Sequence, residues 1–96
     1  MARRDEIMAA LKARETELRA RGVSGLYLFG STARGNDRPD SDVDLFFDHR
    51  QGLGLEVIGI MEHIRDLLPG DIDVTTRRSL HPMLRPGIEA SAIRVF

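Results

Sequence analysis

The stretch LYLFGSTARGNDRPDSDVDLFFD, residues 26–48, contains two apolar runs that are separated by a polar loop. Gly30 and Ser31 end the first run, and two acids, Asp42 and Asp44, lie within the second. Side chains two residues apart in a strand point to the same face of a sheet. Asp42 and Asp44 are therefore predicted to share one face, and the other face takes the apolar residues Val43, Leu45 and Phe47.

A third acid occurs in a later apolar run, residues 71–75. Asp73 has an apolar residue on each side, as Asp44 does. Asp71 shares the face of Asp73 by parity and is an alternative to it. If the two acid-bearing strands are neighbours in the sheet, three carboxylates converge.

Three converging carboxylates require a bound cation or a proton. Two like charges about 4 Å apart repel by roughly 4 kcal/mol at an effective dielectric constant of about 20. Oxygen ligands favour a hard ion such as Mg²⁺, which carboxylates, water and substrate phosphates hold together. The acids therefore predict a site for two metal ions, an arrangement that serves phosphoryl or nucleotidyl transfer.

The Gly-Ser pair predicts an anion site beside these acids. Gly30 allows a ligand to approach the backbone closely, and Ser31 supplies a hydroxyl at the start of a short helix over Ser31–Arg34. A triphosphate would then lie between this turn and the metal ions. The alternative for the pair alone is an ordinary turn with Ser31 as the helix N-cap.

The remaining pattern predicts strands that alternate with helices, which indicates a small α/β (α+β) protein with one domain over residues 1–96. Pro39 and an Asn-Asp pair indicate a loop before the second strand. The predicted helices are Ala2–Arg21, Leu55–Leu68 and Pro86–Ala90, and the predicted strands are Val23–Phe29, Asp42–Phe47, Asp71–Thr75 and Ile93–Phe96.

Composition narrows the function classes. The chain has 96 residues, no cysteine and a formal net charge of −1, so a disulfide framework and a cysteine-ligated zinc site are excluded. The charge balance does not indicate nucleic acid as a direct partner. No apolar run approaches the ~18 residues that a membrane span requires. We therefore expect a cytoplasmic protein without membrane contact.

The motif resembles that of the nucleotidyltransferase superfamily that includes DNA polymerase beta. The signature of that superfamily is Gly-Ser, ten residues, then Asp-x-Asp, which Gly30, Ser31, Asp42 and Asp44 match here. More narrowly, the stretch resembles the minimal nucleotidyltransferases (MNT), the antitoxin halves of HEPN–MNT toxin–antitoxin pairs. Further positions of that narrower pattern are Arg34, Gly35, Ser41 and Leu45.

This resemblance implies a polymerase beta-like fold, a small mixed sheet flanked by helices. It implies Mg²⁺, as two ions, bound by Asp42, Asp44 and Asp73, and ATP held partly by Gly30 and Ser31. It also implies that AMP is transferred to a tyrosine of a cognate HEPN toxin, an RNase, which silences that toxin.

Individual roles also follow from the resemblance. Asp42 and Asp44 would join the triphosphate to the metal ions, and Asp73 would lie beside the attacking hydroxyl as a metal ligand and base. Arg34 would contact phosphate, or alternatively pair with Asp37 or Asp40.

Two other functions remain open at this stage. The chain could neutralise its toxin by binding alone, without catalysis. It could instead modify a small molecule such as an antibiotic, which requires an acceptor pocket that no segment of the sequence indicates.

Overall fold

The computed structural model describes residues 3–35 and 42–96, which form a four-stranded mixed sheet with helices. The α/β (α+β) fold class with a small mixed sheet is confirmed. In chain order the elements are α1 (Arg3–Lys12), α2 (Glu15–Ala20), β1 (Val23–Phe29), α3 (Gly30–Arg34), β2 (Val43–His49), α4 (Glu56–Asp66), β3 (Ile72–Thr76), a 3-10 turn (Arg77–Ser79), α5 (Arg85–Ser91) and β4 (Ile93–Arg94).

The strand order across the sheet is β3-β2-β1-β4. β1 pairs antiparallel with both β2 and β4, whereas β2 and β3 are parallel. A parallel pair requires a crossover between its strands, and α4 provides that crossover. The two strands that carry the acids are thus direct neighbours.

One face of the sheet forms the hydrophobic core. Alternate residues of the strands point to this face, where they pack against α1, α2 and α4. The core residues are Ile7, Leu11, Leu18, Val23, Leu26, Leu28, Ala33, Val43, Leu45, Phe47, Ile60, Ile64, Val74, Val95 and Phe96. This packing fixes which side of each strand remains for polar groups.

The opposite face carries the acids, and we call it the acidic face. Two rows of register partners cross β1, β2 and β3 on this face. One row is Phe29, Asp44 and Asp73, and the next row on the same face is Tyr27, Phe46 and Thr75. The rings of Tyr27 and Phe46 stack with centroids 4.8 Å apart. We call the stacked rings of Tyr27 and Phe46 the aromatic floor, and they lie next to the row of residues that contains Asp44 and Asp73.

Several element bounds differ from the predictions. The predicted first helix is two helices, because the Arg14 amide donates to the Leu11 carbonyl three residues back and tightens the chain there. β2 begins at Val43, so Asp42 precedes the strand, and it continues to His49, which pairs with Val23. β4 ends at Arg94, although the amide of Val95 still donates to the Leu26 carbonyl.

Other bounds agree closely. β1 spans the seven residues predicted for it, and Pro86 lies in the first turn of α5 as its fixed φ favours. The predicted loop over residues 36–41 lies outside the described residues. Among the helices within residues 3–35 and 42–96, none has the length and apolar content to cross a bilayer.

Candidate active site

Asp44 and Asp73 lie opposite each other on β2 and β3. They are register partners in the parallel pair, and neighbouring strands lie about 4.8 Å apart. Asp44 is half-buried and Asp73 is exposed. Asp42, just before β2, is also exposed. The sheet register therefore brings two of the three predicted acids side by side, with the third two residues away.

Electrostatics couple these groups. Burial raises the pKa of the Asp44 carboxyl, and the negative charges of Asp73 and Asp42 raise it further. The positive charge of Arg34 opposes this effect and lowers the same pKa. Asp44 is therefore a carboxylate at which a cation is favoured, and the charges that act on it belong to Asp73, Asp42 and Arg34, which are three of the predicted site residues.

Gly30 is required by the position of Asp44. Its φ of +77° lies in the left-handed region, and a Cβ built on it would overlap Oδ2 of Asp44. Any other residue would displace the carboxylate. The glycine of the Gly-Ser pair thus provides the space in which an acid of the Asp-x-Asp pair stands.

The residues after Gly30 connect β1 to β2. Helix α3 begins at Gly30, so Ser31 lies in its first turn rather than at the predicted N-cap position. The Ser31 hydroxyl has no hydrogen-bond partner within the described part of the chain. Thr32 is fully buried, and its hydroxyl donates to the Asp42 carbonyl over 3.5 Å. Thr32 was not among the predicted site residues, and its signal in the sequence is a polar residue at a position that faces the core.

Arg34 is exposed, and its electrostatic effect on Asp44 places it beside the acids. Its alternative partners, Asp37 and Asp40, lie outside the described residues. Asp71 is also exposed, and its backbone carbonyl accepts a hydrogen bond of 3.0 Å from the Val43 amide. Of the two candidates for the third acid, Asp73 is the one whose charge acts on Asp44.

A second cluster on the acidic face centres on Arg77, which was not among the predicted site residues. Its guanidinium donates to both carboxylate oxygens of Asp48, at 2.8 and 3.0 Å, and to Glu89 of α5 at 2.5 Å. It also lies 4.9 Å from the ring centroid of Tyr27 and 5.0 Å from that of Phe46. Arg77 therefore joins β2, β3, α5 and the aromatic floor.

The donor chemistry of the acidic face fits a hard divalent cation. The available ligands are carboxylate oxygens, and burial together with the neighbouring carboxylates already raises the pKa of Asp44. Within residues 3–35 and 42–96, no three acidic or histidine side chains are close enough together to hold a metal ion by themselves. Mg²⁺ usually takes only one or two protein carboxylates and completes its shell with water and substrate phosphate. Mg²⁺ binding stays a prediction.

Comparison with known proteins identifies the family. Residues 7–95 match the family described as Nucleotidyltransferase domain. The chain is a member of the nucleotidyltransferase family. The glycine, serine and aspartates discussed above lie inside the matched segment, so the site and the family assignment refer to the same part of this nucleotidyltransferase.

Individual relatives agree with this assignment. The nucleotidyltransferase is 35% identical over 92 residues to the protein adenylyltransferase MntA of Thermococcus cleftensis. The aligned residues cover 94% of this chain and 89% of that protein. A solved structure provisionally described as a minimal nucleotidyltransferase superposes with a TM-score of 0.69 at 31% identity, over 90% of this chain and 93% of its own.

A further structure, a toxin–antitoxin with AMP-PNP, shares the fold. It superposes with a TM-score of 0.68 at 20% identity, over 88% of this nucleotidyltransferase and 72% of the other chain. The polymerase beta-like, minimal nucleotidyltransferase architecture is therefore confirmed.

Proposed function

We propose that this nucleotidyltransferase is an antitoxin that transfers AMP from ATP to a tyrosine hydroxyl of a cognate HEPN toxin and so neutralises it. The observation that carries the proposal is the pairing of Asp44 with Asp73 across β2 and β3, with Gly30 against Asp44. The relative named protein adenylyltransferase MntA and the related toxin–antitoxin fold support the acceptor class.

The proposed chemistry is an in-line displacement at the α-phosphorus of ATP. The tyrosine oxygen forms a new bond to that phosphorus, the bond to the bridging oxygen breaks, and pyrophosphate leaves. Asp42, Asp44 and Asp73 would hold Mg²⁺ together with the phosphates of ATP, and the bound ion would neutralise phosphate charge. Asp73, exposed at the edge of the acidic face, takes the proton of the attacking hydroxyl.

The other residues bind the nucleotide. Because Gly30 has no Cβ, the Asp44 carboxylate fits against the backbone of the Gly-Ser turn, so the turn and the acid can face the same triphosphate. Ser31 offers a hydroxyl without a partner in the described part of the chain, and Arg34 offers a cation beside the acids. These groups orient the triphosphate so that its α-phosphorus lies between the acids and the acceptor.

The test is the transfer of label from [α-³²P]ATP to the purified HEPN partner in the presence of Mg²⁺. We expect labelled toxin with the wild-type chain and at least a ~100-fold lower rate with Asp42→Asn/Asp44→Asn. No transfer by the wild type, or equal transfer by the double variant, would contradict the proposal.

The same double variant distinguishes neutralisation by AMP transfer from neutralisation by binding alone. If Asp42→Asn/Asp44→Asn binds the toxin and still inhibits its RNase activity fully, occlusion is sufficient and AMP transfer is not the neutralising step. Transfer to an antibiotic hydroxyl, with none to the protein partner, would indicate a small-molecule enzyme instead.

A further inference from the structure

A cavity lies away from the acids, at the carboxyl-terminal ends of β2 and β3. Its volume is about 530 Å³. It is bounded by the end of β2 with residues 51–53, by the end of β3 with the 3-10 turn, and by the start of α5. We call it the basic pocket, after His49, Arg77, Arg78 and Arg85 among its lining residues.

Two of these cations are not neutralised. Arg77 is paired with Asp48, which is the acid among the lining residues. Arg78 is exposed and makes no ion pair within the described part of the chain. Arg85 donates only to the carbonyl of Arg78, over 3.0 Å, and its Nε is buried without a partner. The basic pocket therefore presents two positive charges without a counter-charge.

Exposed apolar side chains flank the basic pocket in the sequence on both sides. Leu55 follows the lining residue Leu53 by two positions, and its exposed fraction is 83%. Met83 and Leu84 directly precede Arg85, with exposed fractions of 83% and 61%. Large apolar side chains exposed in this way mark contact surfaces for other molecules.

We propose that the basic pocket is a docking site for an acidic segment of the partner protein. An aspartate or glutamate of the partner would pair with Arg78 and Arg85, since guanidinium groups bind carboxylates through two parallel hydrogen bonds. Apolar residues on either side of that acid would cover Leu55, Met83 and Leu84. Nucleic acid fits this surface less well, because its backbone requires a row of cations and these flanks are apolar.

The location separates docking from chemistry. Asp48, which lines the basic pocket, and Asp44 are four residues apart on β2, a distance of about 13 Å, so the pocket and the acids are separate positions on the sheet. This inference rests on the proposed function, since it takes the HEPN toxin as the protein that docks. It assigns binding to one end of the sheet and AMP transfer to the acidic positions.

Isothermal titration calorimetry with the cognate HEPN protein tests the proposal. We expect Arg78→Glu/Arg85→Glu to weaken binding at least tenfold. Arg78→Lys/Arg85→Lys should weaken binding less, because lysine keeps the charge but not the two parallel hydrogen bonds. Arg65→Glu is the matched control, an exposed arginine near the far end of α4, and its Kd should stay within twofold. Circular dichroism verifies that each variant is folded.

Equal binding by wild type and Arg78→Glu/Arg85→Glu would overturn the docking site, and intact AMP transfer in the same preparation would leave the proposed function standing. If the wild type neither binds nor modifies the HEPN protein, both proposals fail. A parallel titration with a single-stranded RNA 12-mer covers the remaining possibility. The pocket would be assigned to nucleic acid, and the proposal overturned, by two results together. The wild type would bind the RNA but not the HEPN protein, and Arg78→Glu/Arg85→Glu would abolish the RNA binding.

Discussion

The carboxylate of Asp44 stands at the position that a Cβ of residue 30 would take, and the fold permits this because residue 30 is a glycine. A Cβ at Gly30 would overlap Oδ2 of Asp44, and the φ of +77° disfavours an L residue independently. The two halves of the Gly-Ser, Asp-x-Asp signature are therefore one steric unit. Their spacing in the sequence reflects a contact between β1 and β2.

Gly30→Ala should abolish most activity. The methyl group displaces the Asp44 carboxylate, so we expect at least a ~100-fold lower transfer rate and a stability loss of about 2–4 kcal/mol from backbone strain plus overpacking. Gly35→Ala is the matched control, because Gly35 has a φ of +75° but no atom of residues 3–35 or 42–96 within 4 Å of its Cβ position. It should cost about 1 kcal/mol from strain alone and leave the rate within threefold. Urea denaturation and the labelled-ATP assay measure both variants, and equal rate losses would contradict the steric account.

Asp44→Asn should stabilise the protein at neutral pH. Burial and the charges of Asp73 and Asp42 raise the pKa of Asp44 above its ordinary value of 3.8, so the folded state binds the proton more tightly than the unfolded chain. This group's contribution to stability therefore falls as pH rises from near 3.8 through the raised pKa. Asparagine does not titrate and avoids that loss, so we expect a Tm about 2–5 °C above wild type at pH 7. The difference should shrink toward pH 4, and a difference that grows on acidification would contradict the repulsion between carboxylates.

Two isosteric substitutions, Asp73→Asn and Asp71→Asn, test which of these aspartates acts as the third acid of the site. Asp73→Asn should lower the transfer rate at least ~100-fold, since the carboxylate opposite Asp44 is lost. Asp71→Asn should change the rate less than threefold, because Asp71 precedes β3 and contributes its backbone carbonyl rather than its carboxylate to the pairing with β2. The reverse ranking would assign the role to Asp71.

Arg77→Gln should destabilise the fold. It leaves Asp48 and Glu89 without their cation and removes the guanidinium from the aromatic floor, for an expected loss of about 1–3 kcal/mol. Arg77→Lys keeps the charge but not the two-pronged contact with Asp48, so its loss should be intermediate. Arg78→Gln, at the adjacent exposed position, should stay within about 0.5 kcal/mol of wild type. Thermal unfolding gives this order directly, and equal Tm values for the Arg77 and Arg78 substitutions would exclude the cluster as a stabilising element.

The sequence was sufficient to predict the parts of the fold that depend on local pattern. β1 was predicted to the residue because its apolar run ends at a glycine, and the face shared by Val43, Leu45 and Phe47 follows from strand alternation. The break between α1 and α2 was missed because neither proline nor glycine occurs there. The extension of β2 through Asp48 depends on its pairing with Gly25 and on Arg77, which is 29 residues away in the chain.

The candidate site likewise contains residues that local sequence patterns identify and residues that they do not. The acids were identifiable because charge within an apolar strand is costly without a partner. That Asp44 and Asp73 are register partners depends on the parallel pairing of β2 and β3, which no local pattern encodes. Arg77 was missed because its partners, on β2 and α5, are distant in the sequence.

The parallel pairing of β2 with β3 also sets an order of events during folding. Gly30 directly follows β1 and Asp44 lies on β2, and the connection between these antiparallel strands, residues 30–42, is shorter than the connection between β2 and β3, residues 50–71. Asp73 joins them only after the chain has passed through α4 and closed a longer loop, and contacts of greater sequence separation form more slowly. We therefore expect a nascent or partly unfolded chain to bring Gly30 and Asp44 together before Asp73 reaches them, and to be inactive until β3 has docked.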